Sequence, residues 1–232
     1  SGGIDSALTS TLCAKTGLPT LCLEMPIKQQ QSQVDRAQEH IRWLRKHHTN
    51  VAEKMVLLYP VFDALSKAVE ADEQKNEDLL SLANTRARLR MVTLYYYAAC
   101  KRYLVAGTGN KVEDFGVGFY TKYGDGGVDL SPIADLSKTQ VRALASTLGV
   151  DQKILNAPPT DGLWDDGRND EEQLDATYEQ LEWAMTQHAA GKSPADFVGE
   201  NARVFEVFLS HHNANKHKME PIPVCSIPKQ LL

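Results

Sequence analysis

The first six residues of the chain, Ser-Gly-Gly-Ile-Asp-Ser, are of types that suit the binding of a phosphate group. The adjacent Gly2 and Gly3 let the backbone turn sharply and approach a ligand without a Cβ in the way. Residues 7–14 have the composition of a helix, so the glycines precede a helix N-terminus. Free backbone N–H groups and the helix dipole favour an anion there. The stretch therefore predicts a phosphate or pyrophosphate pocket, with an ordinary Gly-Gly turn as the alternative.

Three side chains of this stretch add to the chemistry. Ser1 and Ser6 offer hydroxyl groups, and Asp5 offers a carboxylate that can hold a hard cation such as Mg²⁺. A phosphate loop of this kind is expected to follow a buried strand. We therefore expect the numbering to begin inside a longer protein whose first strand is missing here, the alternative being a truncated copy that cannot fold normally.

Length and composition indicate an ordinary globular protein. The 232 residues, with 42% hydrophobic and 24% charged residues, predict a single domain over 1–232, two small domains being the alternative. The net charge of −5 argues against broad nucleic-acid binding, and no apolar run is long enough for a membrane span. The four scattered cysteines form no Cys-x-x-Cys pair, which favours a reducing, cytoplasmic location.

Short apolar runs alternate with helical patterns along the first half of the chain. We predict strands at 20–25, 55–59 and 103–107, with helices at 29–48, 61–71 and 79–100 between or after them. This alternation predicts an α/β fold with a doubly wound parallel sheet. Ligands bind at the carboxyl ends of the strands in such sheets. That rule places Thr108 and Glu113 near the opening loop.

The second half of the chain holds a glycine-rich segment and further helices. Residues 115–129 contain five glycines and carry Lys122, Asp125 and Asp129 on a backbone predicted to be an irregular loop. Ser137 can cap a helix that begins at Lys138. Further helices are predicted at 138–148, 174–188 and 195–212, followed by a tail, and the acidic stretch 165–175 is expected to be exposed.

Taken together, these pieces resemble the ammonia-dependent NAD⁺ synthetases of the ATP pyrophosphatase (PP-loop) superfamily. The resemblance covers nearly the whole chain, and its most specific part is the long glycine-rich motif. The matching motifs are SGGIDS at 1–6, NTRARLRM at 84–91, GTGNKVE at 107–113, FYTKYGDGGVDLSPIADLSK at 119–138, PPT at 158–160 and NKHK at 215–218. The resemblance implies a Rossmann-like fold of the adenine nucleotide alpha hydrolase type.

The resemblance also implies a two-step reaction. ATP adenylates the carboxylate of nicotinic acid adenine dinucleotide (deamido-NAD⁺) and releases pyrophosphate, and ammonia then displaces AMP to give NAD⁺. Mg²⁺ is the implied cofactor, and ATP, deamido-NAD⁺, ammonia and a second copy of the chain are the implied partners, with the dinucleotide site at the interface of a homodimer. The tyrosine-rich helix 88–100 is a candidate for that interface, although burial within one subunit would look the same in sequence.

Site roles are carried over by position in the matching motifs. The implied catalytic residues are Asp5, Glu113, Lys138 and Asp125, of which Asp5 and Glu113 are the implied Mg²⁺ ligands. The implied ATP-binding residues are Ser1, Gly2, Gly3, Ser6, Thr108, Lys138 and Thr160. The implied deamido-NAD⁺-binding residues are Arg88, Lys122, Asp129, His217 and Lys218. Arg88 is chosen over Arg86 and Arg90 because it has the family spacing to Thr108.

Two departures and two alternatives accompany this interpretation. Members of the family often carry an arginine two residues before the proline that follows their second strand. That strand corresponds to residues 20–25 here, because the first strand is expected to be missing, and the position is Glu24. The segment 162–170 is also less typical. The first alternative is another PP-loop ligase, such as one similar to GMP synthetase. The second is a nucleotide-binding regulator without catalysis, against which the joint presence of Asp5, Glu113, Lys122 and Lys138 argues.

Overall fold

The computed structural model describes residues 1–160 and 169–231 as an α/β structure that is mostly helical. Its parallel sheet joins β1 (Thr20–Glu24) to β2 (Val51–Met55), with Thr20 opposite Val51. The helices of the first half are α1 (Ile4–Lys15), α2 (Gln31–His47), α3 (Tyr59–Ala68) and α4 (Asn76–Lys101). Those of the second half are α5 (Lys138–Thr147), α6 (Gln152–Leu155), α7 (Asp170–Leu174), α8 (Tyr178–Ala189) and α9 (Glu200–Met219). Short 3₁₀ turns cover Pro194–Asp196 and Lys229–Leu231.

The predicted α/β class with a parallel sheet is confirmed, but two of the three predicted strands differ. The second strand ends at Met55, where we expected it to begin, because pairing with β1 in register uses Val51–Met55. Of the apolar residues after it, Leu58 is buried against Phe62 of α3, whereas Leu57 is exposed. No strand forms at 103–107 in the described part of the chain, where a single parallel bridge joins Ala106 to Leu130.

Several helix boundaries also differ from the sequence-based expectation. α4 begins at Asn76, before the predicted start at residue 79. A six-residue π-helical turn, Val112–Val117, holds Glu113 and includes the first residues of the glycine-rich segment that was predicted to be irregular. α9 continues to Met219, so His217 and Lys218 lie on its last turn and not on a tail as predicted. The Ser137 cap of α5 is confirmed, and it forms a reciprocal capping box with Gln140.

Packing between α1 and α5 brings together two parts of the predicted ATP site, the loop before α1 and the first turn of α5. Leu8 of α1 and Val141 of α5 are fully buried in one cluster, which also includes Ile133. The Oγ1 atom of Thr9 in α1 donates a hydrogen bond to the carbonyl oxygen of Gly107, 3.4 Å away. The loop before α1, the segment after Gly107 and the first turn of α5 are therefore held at one edge of the structure.

A buried histidine links α2 to α1. His40 is buried, and its Nε2 lies 3.1 Å from both the carbonyl oxygen of Ala7 and the Oγ of Ser10. Burial lowers the pKa of His40 to about 4, and the contact with Ala7 only partly opposes this shift. The ring is therefore neutral in the folded protein at pH 7.

This low pKa predicts a pH-dependent loss of stability. The unfolded chain binds a proton at His40 near pH 6.5, whereas the folded chain does not until about pH 4, so the free energy of unfolding falls as the pH drops through this window. The linkage amounts to about 3 kcal/mol at most. Urea unfolding of His40→Gln between pH 7.5 and pH 4 should show a shallower fall than the parent protein. His47→Gln, at an exposed position, is the control, and equal slopes for all three proteins would contradict this account.

Candidate active site

The opening loop, residues 1–6, is called the glycine loop below. At Gly2 it has a conformation that only glycine accommodates. Gly2 has a φ of +79°, and a Cβ at this position would lie 2.2 Å from the backbone oxygen of Gln33. The Oγ atoms of Ser1 and Ser6 are 2.7 Å apart, and Ser6 donates to the carbonyl oxygen of Gly3 at 3.0 Å. Gly3 is the N-cap of α1 and has no side chain to satisfy the free N–H groups of the first turn. The loop therefore has the geometry expected of an anion pocket.

The ammonium group of Lys138 bridges the two predicted metal-binding carboxylates. Its Nζ lies 2.6 Å from Oδ2 of Asp5 and 2.9 Å from Oε1 of Glu113. The lysine side chain is only 4% exposed, and both carboxylates are largely shielded from solvent. These three residues come from α1, the π-helical turn and α5, so the fold gathers groups that are far apart in the sequence.

The charges of Lys138 and Glu113 stabilise each other, whereas burial and the charge of Glu113 raise the pKa of Asp5 although Lys138 opposes this. Burial opposes the charge of Lys138, but the carboxylates of Glu113 and Asp5 outweigh it and raise the lysine pKa. Burial also disfavours the charge of Glu113, yet the ammonium of Lys138 and the hydroxyl of Tyr178 keep the Glu113 pKa below its usual value. Two carboxylates face one ammonium, so the cluster retains a formal negative charge. An additional cation would be attracted to it.

Asn110 is a site residue to which the sequence analysis assigned no role. It is completely buried, and its Nδ2 donates to Oδ1 of Asp5 at 3.2 Å. Its Oδ1 accepts from the backbone N–H groups of Val112 and Glu113, both at 3.1 Å. The amide thus ties Asp5 to the backbone that carries Glu113. Its place inside the motif at 107–113 was the available signal.

Tyr178 and Asp170 were also missed. The Oη of Tyr178 lies 2.5 Å from Oε1 of Glu113 and 3.2 Å from Oδ2 of Asp170. Asp170 is 5% exposed, so the expectation of an exposed acidic stretch is wrong at this position, because the side chain points toward the phenol. Residues 161–168, including most of the atypical segment, lie outside the described part of the chain.

Asp125 lies in the glycine-rich loop, and although the residue is exposed, its carboxylate folds back onto the loop backbone. Its Oδ1 accepts from the backbone N–H of Thr121 at 3.0 Å, and burial raises the pKa of Asp125. The pKa of the neighbouring Asp114 is raised to about 7 by burial and by the charges of Glu113, Asp125 and Asp5. The loop therefore places further carboxyl groups next to the cluster around Lys138.

The predicted acceptor-binding residues form a second group, with one exception. Nε and Nη2 of Arg88 both lie 3.4 Å from the carbonyl oxygen of Lys122, whose own ammonium donates to the carbonyl of His217. Lys218 donates to the carbonyl oxygens of Gly118 and Tyr120, so it holds the same loop. Together, these contacts join α4, the glycine-rich loop and the end of α9.

Asp129 makes different contacts from the other four residues of that predicted set. It accepts from the hydroxyl of Tyr95 at 3.0 Å and from the backbone N–H of Val105 at 2.8 Å. Both contacts lie toward the segment that pairs with Leu130. The structure therefore gives Asp129 a part in holding the backbone.

The two predicted threonine ligands lie at the ends of backbone segments that approach the cluster. Thr108 follows Gly107, to which α1 is bonded. Thr160 follows Pro159, whose carbonyl oxygen accepts from the N–H of Asp170 at 3.0 Å. Thr160 is thereby brought toward the side of the cluster that Tyr178 and Asp170 form.

An arginine of α4 lies against the end of β1, although not at the position that the resemblance suggested. Arg90 of α4 donates from Nε to the carbonyl oxygen of Met25 at 3.1 Å, immediately after Glu24. Its Nη2 and the Oε2 of Glu24 are buried, and neither has a hydrogen-bond partner among the described residues. Burial lowers the pKa of Arg90 to about 10, which leaves the guanidinium charged. A cation thus lies next to the position where family members often carry one.

Comparisons with known proteins identify the family of the chain. The sequence profile of the NAD synthase family matches residues 1–222. The NH₃-dependent NAD⁺ synthetase of Carboxydothermus hydrogenoformans is 37% identical over 204 residues, covering 85% of this chain and 79% of the relative. That of Methanocaldococcus jannaschii is 36% identical over 235 residues, covering 96% and 86%.

Solved structures extend the comparison to the fold. NMN synthetase from Francisella tularensis superposes with a TM-score of 0.81 at 33% identity, covering 99% of this chain and 87% of that one. NH₃-dependent NAD synthetase from Campylobacter jejuni, in complex with nitrate, gives 0.75 at 25% identity, covering 97% and 86%. Fold and site define an ATP-using ligase of the PP-loop type. More narrowly, the chain belongs to the NAD synthase family.

The bridging position of Lys138 leads to a stability prediction. Lys138→Met leaves two buried carboxylates without their counter-charge, so the free energy of unfolding at pH 7.5 should fall by about 3–5 kcal/mol. Lys111→Met is the matched control, because it removes an exposed ion pair with Asp135 and should cost at most about 1 kcal/mol. Chemical denaturation measures both. Millimolar Mg²⁺ should restore part of the loss only in Lys138→Met, and a loss no larger than that of the control would contradict the assignment.

Proposed function

We propose that this chain catalyses the ATP-dependent amidation of deamido-NAD⁺ with ammonia, forming NAD⁺, AMP and pyrophosphate. The observation that carries the proposal is the convergence of Asp5, Glu113 and Lys138 beside the glycine loop, in a chain that matches the NAD synthase family over residues 1–222. We propose that residues 1–232 act as one domain.

The first step is the transfer of AMP to the acceptor. An oxygen of the nicotinate carboxylate attacks the α-phosphorus of ATP, the bond to the bridging oxygen breaks, and pyrophosphate leaves with the electron pair. Both reactants are anionic, so the site must neutralise charge and align the two groups. The proposed ATP ligands are Ser1, Gly2, Gly3, Ser6, Thr108, Lys138 and Thr160.

Asp5 and Glu113 are the proposed Mg²⁺ ligands. Mg²⁺ is commonly held by one or two carboxylates together with substrate phosphates, and these two carboxylates already share one cation, the ammonium of Lys138. Mg²⁺ would neutralise the charge that develops on the leaving pyrophosphate. Lys138 would then be released from the carboxylates and could donate to phosphate oxygens.

The second step uses ammonia. Its lone pair attacks the carbonyl carbon of the acyl-adenylate, AMP leaves with the acyl C–O bond electrons, and a proton is lost from nitrogen. Asp125 is the proposed catalytic residue for this step, because its carboxyl group is held by the backbone N–H of Thr121 and is close enough to Glu113 for the two charges to interact. The proposed acceptor ligands are Arg88, Lys122, Asp129, His217 and Lys218.

A second acceptor is favoured by one specific observation. The solved structure that superposes with a TM-score of 0.81 is an NMN synthetase, a name that denotes formation of the mononucleotide NMN. Nicotinic acid mononucleotide carries the same reacting carboxylate as deamido-NAD⁺ but lacks the AMP half. The two acceptors are therefore distinguished by residues that would contact that half.

A homodimer is the proposed assembly. Residues Ser81, Arg88, Val92 and Tyr96 form an exposed stripe along α4, and two of its members are large apolar side chains. Such an apolar stripe commonly marks a contact surface. Arg88 lies on the same stripe, which would put an acceptor ligand at the subunit contact.

The cellular location is proposed from the cysteines. All four are free thiols, which fits a reducing compartment such as the cytoplasm. Within the described residues, no helix is both long and apolar enough to cross a membrane.

The activity is tested by incubating the protein with deamido-NAD⁺, ATP, Mg²⁺ and ammonium and measuring NAD⁺, AMP and pyrophosphate. We expect equal amounts of the three products, and a higher kcat/KM for deamido-NAD⁺ than for nicotinic acid mononucleotide. The opposite preference would assign the mononucleotide reaction, and absence of AMP and pyrophosphate with either acceptor would refute the proposal.

In Glu113→Gln, deamido-NAD⁺ binding should survive while turnover falls by about two orders of magnitude or more; loss of both would make the residue structural.

The dimer is tested by placing a charge on the stripe of α4. Val92→Glu should shift the protein from dimer to monomer in sedimentation velocity, because burying an unpaired carboxylate at the contact is unfavourable. Val198→Glu introduces the same change at another exposed valine and should leave the assembly unchanged. A monomeric parent protein, or a Val92→Glu protein that remains dimeric, would contradict this interface.

A further inference from the structure

We propose that Tyr178 is a positioning residue that keeps the carboxylate of Glu113 in one orientation. It would do so while a metal ion takes the place of the Lys138 ammonium beside that carboxylate. The inference rests on the proposed function, in which Glu113 is a metal ligand. It concerns a side chain outside every motif of the sequence resemblance. Tyr178 is separated from Glu113 by 65 residues.

The position of the phenolic proton follows from the distances. Tyr178 has one hydroxyl proton, and its Oη lies 2.5 Å from Glu113 but 3.2 Å from Asp170. The short distance assigns the proton to a hydrogen bond with Glu113, of the length found when a hydroxyl donates to a charged carboxylate. Burial and the charges of Glu113 and Asp170 raise the pKa of Tyr178, so the hydroxyl keeps its proton.

Tyr178 contacts both charged partners of the bridge. Its hydroxyl donates to Oε1 of Glu113, the same oxygen that accepts from Lys138. The Nζ of Lys138 also lies 4.7 Å from the centroid of the Tyr178 ring, where the π face attracts a cation. The side chain of Tyr178 therefore contacts the Glu113 carboxylate through its hydroxyl and the Lys138 ammonium through its ring.

The exchange makes this double contact useful. When Lys138 turns toward phosphate oxygens, Glu113 loses one of the two donors to its Oε1. The tyrosine hydroxyl remains, so the carboxylate need not reorient as the metal arrives. A ligand that is already oriented loses less conformational freedom on binding, which is why groups that hold metal ligands contribute to metal affinity.

The surroundings of Tyr178 keep the phenol in place. It is the first residue of α8, directly after the Thr177 cap, and its backbone N–H donates to Glu171 at 2.9 Å. The ring is 3% exposed and belongs to a core cluster with Val112 and Leu181. Rotation of the ring away from Glu113 would disturb this core.

Tyr178→Phe tests the inference, because it removes the hydroxyl and keeps the ring. Mn²⁺ serves as the probe, and its binding to the enzyme with a non-hydrolysable ATP analogue is measured by electron paramagnetic resonance. We expect Mn²⁺ to bind about 10–100-fold more weakly than to the parent protein. The kcat should fall by a similar factor, while the KM for deamido-NAD⁺ changes little.

The matched control removes the same atom from an exposed tyrosine. Tyr59→Phe should leave Mn²⁺ affinity and kcat unchanged. A double variant identifies the route of the effect, since adding Tyr178→Phe to Glu113→Gln should weaken Mn²⁺ binding no further. Should the phenylalanine variant not fold, Tyr178→Met also lacks the hydroxyl, fills irregular space and carries the same expectation.

The outcomes separate this inference from the proposed function. If Glu113→Gln weakens Mn²⁺ binding and Tyr178→Phe does not, the positioning role is wrong and the metal site stands. If Tyr178→Phe lowers only the thermal stability, the residue is structural and the inference fails. If Glu113→Gln leaves Mn²⁺ affinity unchanged, the proposed metal site itself is wrong, and the positioning role falls with it.

Discussion

The bridge from Lys138 to Asp5 and Glu113 is the interaction on which the rest of the site depends. Each carboxylate would be costly to bury alone, and each is close to an ammonium that is itself almost fully shielded. The apolar packing of α1 against α5 holds the ends of this bridge, and Asn110 fixes Asp5 to the backbone that carries Glu113. Core and chemistry are thus coupled, because the helices that bury leucine and valine also deliver the charges.

The bridge also balances part of the negative charge of the site from within the chain. A cluster of carboxylates alone would repel itself, and the chain avoids this by supplying its own cation on a flexible stem. A lysine suits this role because its ammonium is compact and its four-carbon chain can rotate toward another anion. The same property would let it serve the phosphates of a nucleotide once the carboxylates have another partner.

Local signals predicted much of this arrangement. The glycine loop, the Ser137 cap and the first strand have signatures within a few residues, and the structure agrees with each of them. The second strand was misplaced because apolar content favoured residues after Met55, whereas pairing with β1 decides the register. The contacts of Tyr178 and Asp170 have no local signature, since they depend on how α7 and α8 pack against the π-helical turn. Tertiary packing decided what short-range patterns could not.

The stripe on α4 has a consequence for how the protein would behave at different concentrations. Arg88 shares this face with Val92 and Tyr96, and its guanidinium reaches the carbonyl oxygen of Lys122. The glycine loop and the bridge around Lys138 belong to other elements of the same chain. If the stripe is covered by a second subunit, diluting the enzyme would loosen its hold on the acceptor before its hold on ATP. The apparent affinity for the acceptor would then depend on enzyme concentration, whereas the apparent affinity for ATP would not.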